Sequence, residues 1–195
     1  MKLAIRIAVA AIFLAAAVPG AQAQDHGAVG IFVNYFRSGV TDNNFVGLGG
    51  RLGFNVHPNV QLEGEMAWDF SRAFTEGFTD TATGNVTLAR TDFRILHGMI
   101  GPKFQTSGEA WKVFVTVKGG FINFRFDDRP ATVGNFISSV ESLRTDNVRG
   151  VLYPGGGIEV NAKFIGFRFD IGDEIYWRNG AQHNLRMAFG PHIRF

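Results

Sequence analysis

Residues 185–195 read LRMAFGPHIRF, and this stretch decides the fold. Its apolar side chains recur at alternate positions, while Arg186, His192 and Arg194 stand between them. Because successive side chains of a strand point to opposite faces, the segment predicts a β-strand with one apolar face and one cation-bearing face. The apolar set continues to the last residue through Phe189, Ile193 and Phe195.

The same alternation recurs in eight segments along the chain. In the second segment, Leu48, Leu52 and Phe54 share one parity while Gly47 and Arg51 have the other. Most segments have the ~9–11 residues that a tilted membrane-spanning strand needs, or a few more. They cover residues 29–37, 45–57, 60–70, 92–104, 110–126, 150–160, 164–176 and 184–195.

The connections between these segments alternate in length. The short ones are residues 58–59, 105–109 and 161–163, and the long ones are 38–44, 71–91, 127–149 and 177–183. Short periplasmic turns and long outer loops are typical of outer-membrane barrels. The sequence therefore predicts an all-β fold, an eight-stranded antiparallel up-and-down transmembrane β-barrel. Helical spacing of Phe136, Val140 and Leu143 predicts a short amphipathic helix over 135–144, in the third long loop.

The amino terminus predicts export. Lys2 and Arg6 precede an apolar run over residues 7–18 and an Ala-Gln-Ala sequence ending at Ala23, which predicts a cleaved signal peptide over 1–23. The barrel domain then covers 24–195, with 17 basic and 17 acidic residues once Lys2 and Arg6 are removed. This near-neutral balance argues against a nucleic-acid partner. The chain contains no cysteine, so packing and hydrogen bonds must hold it without disulfides.

Charged residues gather on the strand face opposite the apolar one. Closing the sheet places that face inside and leaves no free edge. An eight-stranded barrel is just wide enough for side chains to fill it, and charges removed from water must pair. The predicted lumen holds equal numbers of cations and carboxylates, so we expect ion pairs to fill it. Its cations are Arg51, Lys112, Lys118, Arg168, Arg186 and Arg194, and its carboxylates are Glu63, Glu65, Asp69, Glu159, Asp170 and Glu174. His97 shares a strand face with the apolar residues Phe93, Ile95 and Met99, so the sequence does not determine whether His97 points inward or outward.

Four segments resemble the small outer-membrane β-barrel superfamily of OmpA/OmpX type, the porin-like barrel-domain proteins of Gram-negative bacteria. They are GLGGRLGFNVHPNVQLEGE at 47–65, HGMIGPKF at 97–104, RFDIGDEIYW at 168–177 and the terminal HIRF. The resemblance extends over 27–195. It implies a monomeric, multi-pass protein of the outer membrane with lipids and the barrel-assembly machinery as partners. In such proteins the terminal apolar set, here Phe189, Ile193 and Phe195, serves as the assembly signal.

The sequence predicts no catalytic, cofactor-binding or metal-binding residues. Its five histidines lack the spacing of a metal motif, and its serines fall in turns or loops without an adjacent histidine. The leading hypothesis is a structural or surface-interaction role, with a surface ligand that the sequence does not specify. A narrow porin for small solutes is one alternative. An outer-leaflet lipid-modifying enzyme is the other, for which His183 and Asn184 near Tyr176 form the one suggestive rim cluster.

Overall fold

A computed structural model of the chain describes residues 26–39, 42–80, 82–126, 136–138, 147–177 and 180–195. The predicted signal peptide lies outside these residues. In the part described, no helix is long and apolar enough to cross a membrane. The strands are β1 (Gly27–Arg37), β2 (Asn44–His57), β3 (Val60–Asp69), β4 (Arg72–Asp80), β5 (Val86–Gln105), β6 (Trp111–Phe126), β7 (Phe136–Ser138), β8 (Val148–Ala162), β9 (Ile165–Asp173), β10 (Ile175–Trp177), β11 (Ala181–Gln182) and β12 (Leu185–Arg194).

Eight of these strands close into an antiparallel barrel. The order around it is β1, β2, β3, β5, β6, β8, β9 and β12, and each strand pairs with the next. The last strand then pairs with the first, with Val33 opposite Phe189 and Tyr35 opposite Met187. The terminal segment LRMAFGPHIRF is thus the strand that closes the cylinder. The predicted eight-stranded fold is confirmed.

The two ends of the barrel differ. At the end called here the turn end, β2–β3, β5–β6 and β8–β9 are joined by the short segments 58–59, 106–110 and 163–164. The opposite end, the loop end, carries the longer connections. Its largest described feature is a hairpin in which β4 pairs with the first half of β5 over Arg72–Asp80. At the tip, the Thr83 hydroxyl and the Ala82 N–H donate to Asp80 and hold the pKa of that carboxyl below its usual range.

This hairpin corrects two predictions. Residues 71–91 are not an irregular loop but largely strand, because β5 begins ten residues before Leu96, the last residue that it pairs with β3. The helix over 135–144 is wrong where the structure describes it: Phe136–Ser138 form β7, which pairs with the end of β4. A strand partner satisfies the backbone hydrogen bonds of this segment, and three apolar residues at helical spacing could not indicate that partner. The rest of 135–144 lies outside the described residues.

The outward face of the barrel is apolar. Leu48, Leu52 and Phe54 of β2 are 43–56% exposed, and Phe167 and Ile171 of β9 are exposed likewise. Aromatic side chains border this apolar band at both ends; Phe104, Trp111 and Phe164 lie at the turn end, and Trp68, Phe70 and Trp177 lie toward the loop end. Apolar bands between two aromatic girdles are the lipid-facing surface of membrane barrels.

The barrel lumen as candidate functional site

The turn-side half of the lumen is organised around Glu63 and Glu65. Both carboxylates point inward from β3 and are almost fully buried. Lys118 of β6 bridges them, with Nζ 3.1 Å from Glu63 Oε2 and 2.7 Å from Glu65 Oε2. Alternation along β3 places both glutamates on one face, and antiparallel pairing brings the cations of other strands to them.

Arg168 of β9 is the most connected cation of this half. Its guanidinium donates to both oxygens of Glu63, with 3.1 Å between Nη2 and Oε2, and its Nη2 lies 2.7 Å from Asp170 Oδ1. Glu159 Oε1 lies 3.3 Å from Arg168 Nη1. The Phe114 ring stacks beneath the guanidinium at 4.0 Å, an arrangement that favours a cation on a desolvated aromatic face. Three carboxylates therefore share this one side chain as a partner.

Two further arginines extend the network across the barrel. Arg51 Nη2 lies 2.6 Å from Asp170 Oδ2, and Arg51 Nε lies 3.2 Å from Glu65 Oε2. Arg186 Nη1 lies 2.6 Å from Glu65 Oε1, while its Nε donates to Asn34 Oδ1 at 2.8 Å. Burial of these charges is tolerable because each is surrounded by partners of opposite sign.

The remaining members of the predicted lumen set lie at its two ends. Asp69 and Glu174 are buried toward the loop end. Lys112 is buried toward the turn end, directly opposite Glu159 across β6 and β8, and Arg194 is partly exposed at the turn-end mouth. The terminal set Phe189, Ile193 and Phe195 points outward and is exposed.

Lys103 and His97 are lumen residues that the sequence prediction did not include. Lys103 Nζ lies 2.6 Å from Glu159 Oε1, and its side chain is buried. His97 is fully buried, with Nδ1 2.8 Å from Glu174 Oε1 and Nε2 3.0 Å from Asp69 Oδ2. His97, Lys103 and Gln105 all stand at odd-numbered positions of β5 and therefore share one face. Taken together, these polar residues indicate which face of β5 points inward.

An aromatic cluster fills the loop-side half of the lumen. Phe93 stacks on Phe124 with ring centroids 5.7 Å apart, and Phe124 meets Tyr176 edge-on at 5.4 Å. Phe36 contacts the His97 ring at 5.0 Å, where the cluster joins the polar network. All members are buried, and we call them the aromatic plug; they are Phe36, Phe45, Phe93, Ile95, Met99, Ile122, Phe124, Val151, Tyr153 and Tyr176.

The rim cluster around His183 lies above this plug. His183 Nδ1 lies 2.5 Å from Asp173 Oδ2, and the imidazole is mostly exposed. Asn184 is buried and acts structurally, since its amide donates to Glu174 O and its Oδ1 accepts from the Gly39 N–H. Within the described residues, no group of three or more His, Cys, Asp or Glu side chains is arranged to hold a metal ion.

Comparison with known proteins places this architecture among small outer-membrane barrels. The chain is similar to the attachment invasion locus protein Ail of Yersinia pestis, solved with the heparin analogue sucrose octasulfate, at 17% identity and a TM-score of 0.51 over 87% of this chain and 96% of that one. Neisserial surface protein A is similar at 9% sequence identity and a TM-score of 0.53, over 87% of this chain and 96% of that one. The outer membrane protein OprG of Pseudomonas aeruginosa is similar at 8% sequence identity and a TM-score of 0.53, over 90% of this chain and 99% of that one.

These similarities show the fold alone, because the identities are low. No protein-family model matches the sequence, and no curated protein matches it. The chain thus has the fold of the eight-stranded outer-membrane β-barrels, and its chemistry must be argued from its own side chains. Those side chains form an ion-pair network in one half of the lumen and an aromatic cluster in the other.

Proposed function

We propose that this chain is an integral outer-membrane barrel with a closed lumen and a structural or surface-interaction role. The observation that carries the proposal is the double filling of the interior. A solute would have to pass the Glu63–Arg168–Lys118 cluster and then the Phe93–Phe124–Tyr176 stack. Both layers consist of buried side chains in contact with one another, whereas a porin requires a polar passage between its side chains.

The outer surface supports membrane insertion. Apolar side chains on the outward face are exposed, and a closed sheet leaves no unpaired edge in the hydrocarbon. We propose lipids as the partners of this face, and the barrel-assembly machinery as the reader of Phe189, Ile193 and Phe195. The protein then works as a monomer.

The loop end supports the interaction role. β4 and the first half of β5 form a hairpin beyond the barrel, and β7 adds a third strand at its far end. A rigid, closed barrel is a suitable base for presenting such a sheet to the outside. The proposal assigns the chain no catalytic activity.

Two measurements on the full chain test this proposal. Cell fractionation should recover the protein with the outer membrane, and its electrophoretic mobility should shift on heating, as expected for a barrel that resists detergent until boiled. Recovery as soluble periplasmic protein would refute the membrane assignment.

The second measurement separates a closed barrel from a pore. Purified protein reconstituted in planar bilayers should give no stable conductance steps. Regular, ion-sized steps from the folded protein would replace the structural role with that of a narrow porin.

A further inference from the structure

The imidazole of His97 links two walls of the lumen. β5 points this ring inward, where it is fully buried. Its Nδ1 lies 2.8 Å from Glu174 Oε1, and its Nε2 lies 3.0 Å from Asp69 Oδ2. Asp69 belongs to the neighbouring strand β3, whereas Glu174 follows β9, which is separated from β5 by β6 and β8. The ring therefore spans the interior of the barrel.

These two contacts require one proton more than a neutral imidazole carries. An ionised carboxylate can only accept hydrogen bonds, and a neutral imidazole donates from one nitrogen while the other nitrogen accepts. Between two ionised carboxylates, a neutral ring would hold one lone pair against a carboxylate oxygen at hydrogen-bond distance. The additional proton must therefore lie on the ring or on one of the two carboxyl groups.

The second partners of the carboxylates favour the ring as the site of this proton. Asn34 Nδ2 donates to Asp69 Oδ1 at 2.7 Å, and Arg186 Nε lies 3.5 Å from Glu174 Oε2. A donor or a cation beside a carboxylate favours its ionised form. With both carboxylates ionised, His97 is an imidazolium that donates from both nitrogens.

The other surroundings of the ring are apolar. Ala67 and Ile122 lie directly opposite His97 on the neighbouring strands β3 and β6, and the Phe36 ring lies 5.0 Å from the imidazole. Water is therefore kept from the ring, so the loss of one hydrogen bond there is costly. Phe36 belongs to the aromatic plug, so a change at the ring reaches the plug directly.

Few charges act on the ring. They are those of Asp69 and Glu174, with Arg186 on the far side of Glu174. The plug adds the phenols of Tyr153 and Tyr176, and a phenol keeps its proton up to about pH 9. Around neutral pH, the imidazole is therefore the group of this cluster that gains or loses a proton.

We propose that His97 is a proton-dependent clasp of the lumen. Its imidazolium holds Asp69 and Glu174 together across the interior, and loss of the proton releases one of these carboxylates. The contact with Phe36 transmits this release to the aromatic plug. The clasp thus holds the two halves of the lumen together at neutral pH and weakens as the pH rises into the alkaline range.

The first test reads the protonation of the ring directly. Nitrogen-15 NMR of the histidine side chains is recorded on the full-length barrel in detergent micelles at pH 7.5, where an imidazole in water is almost entirely neutral. Both ring nitrogens of His97 should carry a hydrogen. A ring with one protonated nitrogen at this pH would overturn the proposal.

The second test measures stability against pH. An imidazole of the unfolded chain loses its proton near pH 6.5, whereas the folded barrel keeps the proton on His97. The folded state then binds more protons than the unfolded state above this pH, so stability falls as the pH rises. In urea unfolding, the equilibrium constant for unfolding should rise at least tenfold between pH 6 and pH 8.

Variants assign this rise to the clasp. His97→Gln should reduce it to less than twofold. Glu174→Gln should do the same, because the new amide can donate to the bare nitrogen of a neutral ring. His57→Gln, which removes an exposed histidine near the turn end, is the matched control and should keep the full rise. If His97→Gln does not fold, Glu174→Gln and the ring measurement decide.

An equal rise in the unchanged protein, His97→Gln and Glu174→Gln would overturn the clasp. Neither readout uses conductance, so the clasp and the closed lumen can fail separately. A neutral His97 ring in a barrel that gives no conductance steps would refute the clasp and leave the closed lumen in place.

Discussion

The two halves of the lumen are built from the same strands by opposite means. On the turn side, β3, β6 and β9 point Glu63, Lys118 and Arg168 inward, and these charges neutralise one another. On the loop side, β5 and β6 point Phe93 and Phe124 inward, and the rings stack. His97 stands at the boundary, with two carboxylates at its nitrogens and the Phe36 ring against its edge.

This difference shows what alternation along a strand does and does not determine. Alternation determines which residues share a face, and the contrast between an apolar and a charged face tells which one is inside. On the turn side that contrast is strong. On the loop side both faces of β5 contain apolar residues, so the contrast disappears while the geometry remains the same.

The largest expected effect comes from breaking the charged half. Arg168→Met should lower the free energy of unfolding by about 3–5 kcal/mol, because Glu63, Asp170 and Glu159 lose a shared buried cation. Urea unfolding of the micelle-embedded protein measures this loss. Adding Asp170→Asn to Arg168→Met should restore part of it. A double variant as unstable as Arg168→Met would mean that these carboxylates are individually hydrated.

The aromatic half should respond to volume rather than to charge. Phe124→Ala should lower the free energy of unfolding by about 3 kcal/mol, because a cavity opens beside Phe93 and Tyr176. Phe164→Ala, at an exposed position near the turn end, is the control and should cost far less. Similar losses in both variants would show that the plug is loosely packed.

A smaller effect is expected on the lipid-facing side of the charged half. Leu52→Arg should lower the free energy of unfolding by roughly 2 kcal/mol. A cation on the lipid face is most unfavourable at the midplane, and the effect is smaller here because Leu52 lies toward the turn end. The matched change Val56→Arg, nearer the aromatic border, should cost less. Equal stability of Leu52→Arg and the unchanged protein would place this face in water.

Much of the fold follows from the sequence because each strand repeats one local rule. The closing of β12 on β1, the short turns and the outward apolar band are all set by alternation and by turn length. The inward direction of Arg168 and Asp170 follows from the large apolar residues that alternate with them, Phe167, Phe169 and Ile171.

Other features could not be predicted because they depend on distant partners. His97 lies inside the barrel, where Asp69 of β3 and Glu174, the residue after β9, reach it. The apolar neighbours of His97 on the same face mask the signal that the polar residues of β5 carry. Residues Phe136–Ser138 form a strand because they pair with the free edge of β4. Lys103 follows a proline in a stretch where the alternation is weak, and its partner Glu159 lies on another strand.

The smallest effect on stability is expected at the loop-end hairpin. An epitope inserted at Gly84, in an exposed turn with a positive φ, should change the free energy of unfolding by less than about 0.5 kcal/mol. Antibody should label it on intact cells. An epitope at Ser107, in a short turn, should be labelled only after the outer membrane is opened, and the reverse pattern would invert the two ends.

The most direct test of the closed lumen uses the absence of cysteine from the chain. Ala188 points into the middle of the barrel, packed with Phe32 and Ala67, whereas Ala28 lies at the turn-end mouth of the lumen. The single variants Ala188→Cys and Ala28→Cys can each be treated with a small charged thiol reagent. Closure of the lumen predicts that Ala28→Cys reacts readily and that Ala188→Cys reacts only after unfolding. Rapid reaction of Ala188→Cys in the folded barrel would contradict the account and show a water-filled passage.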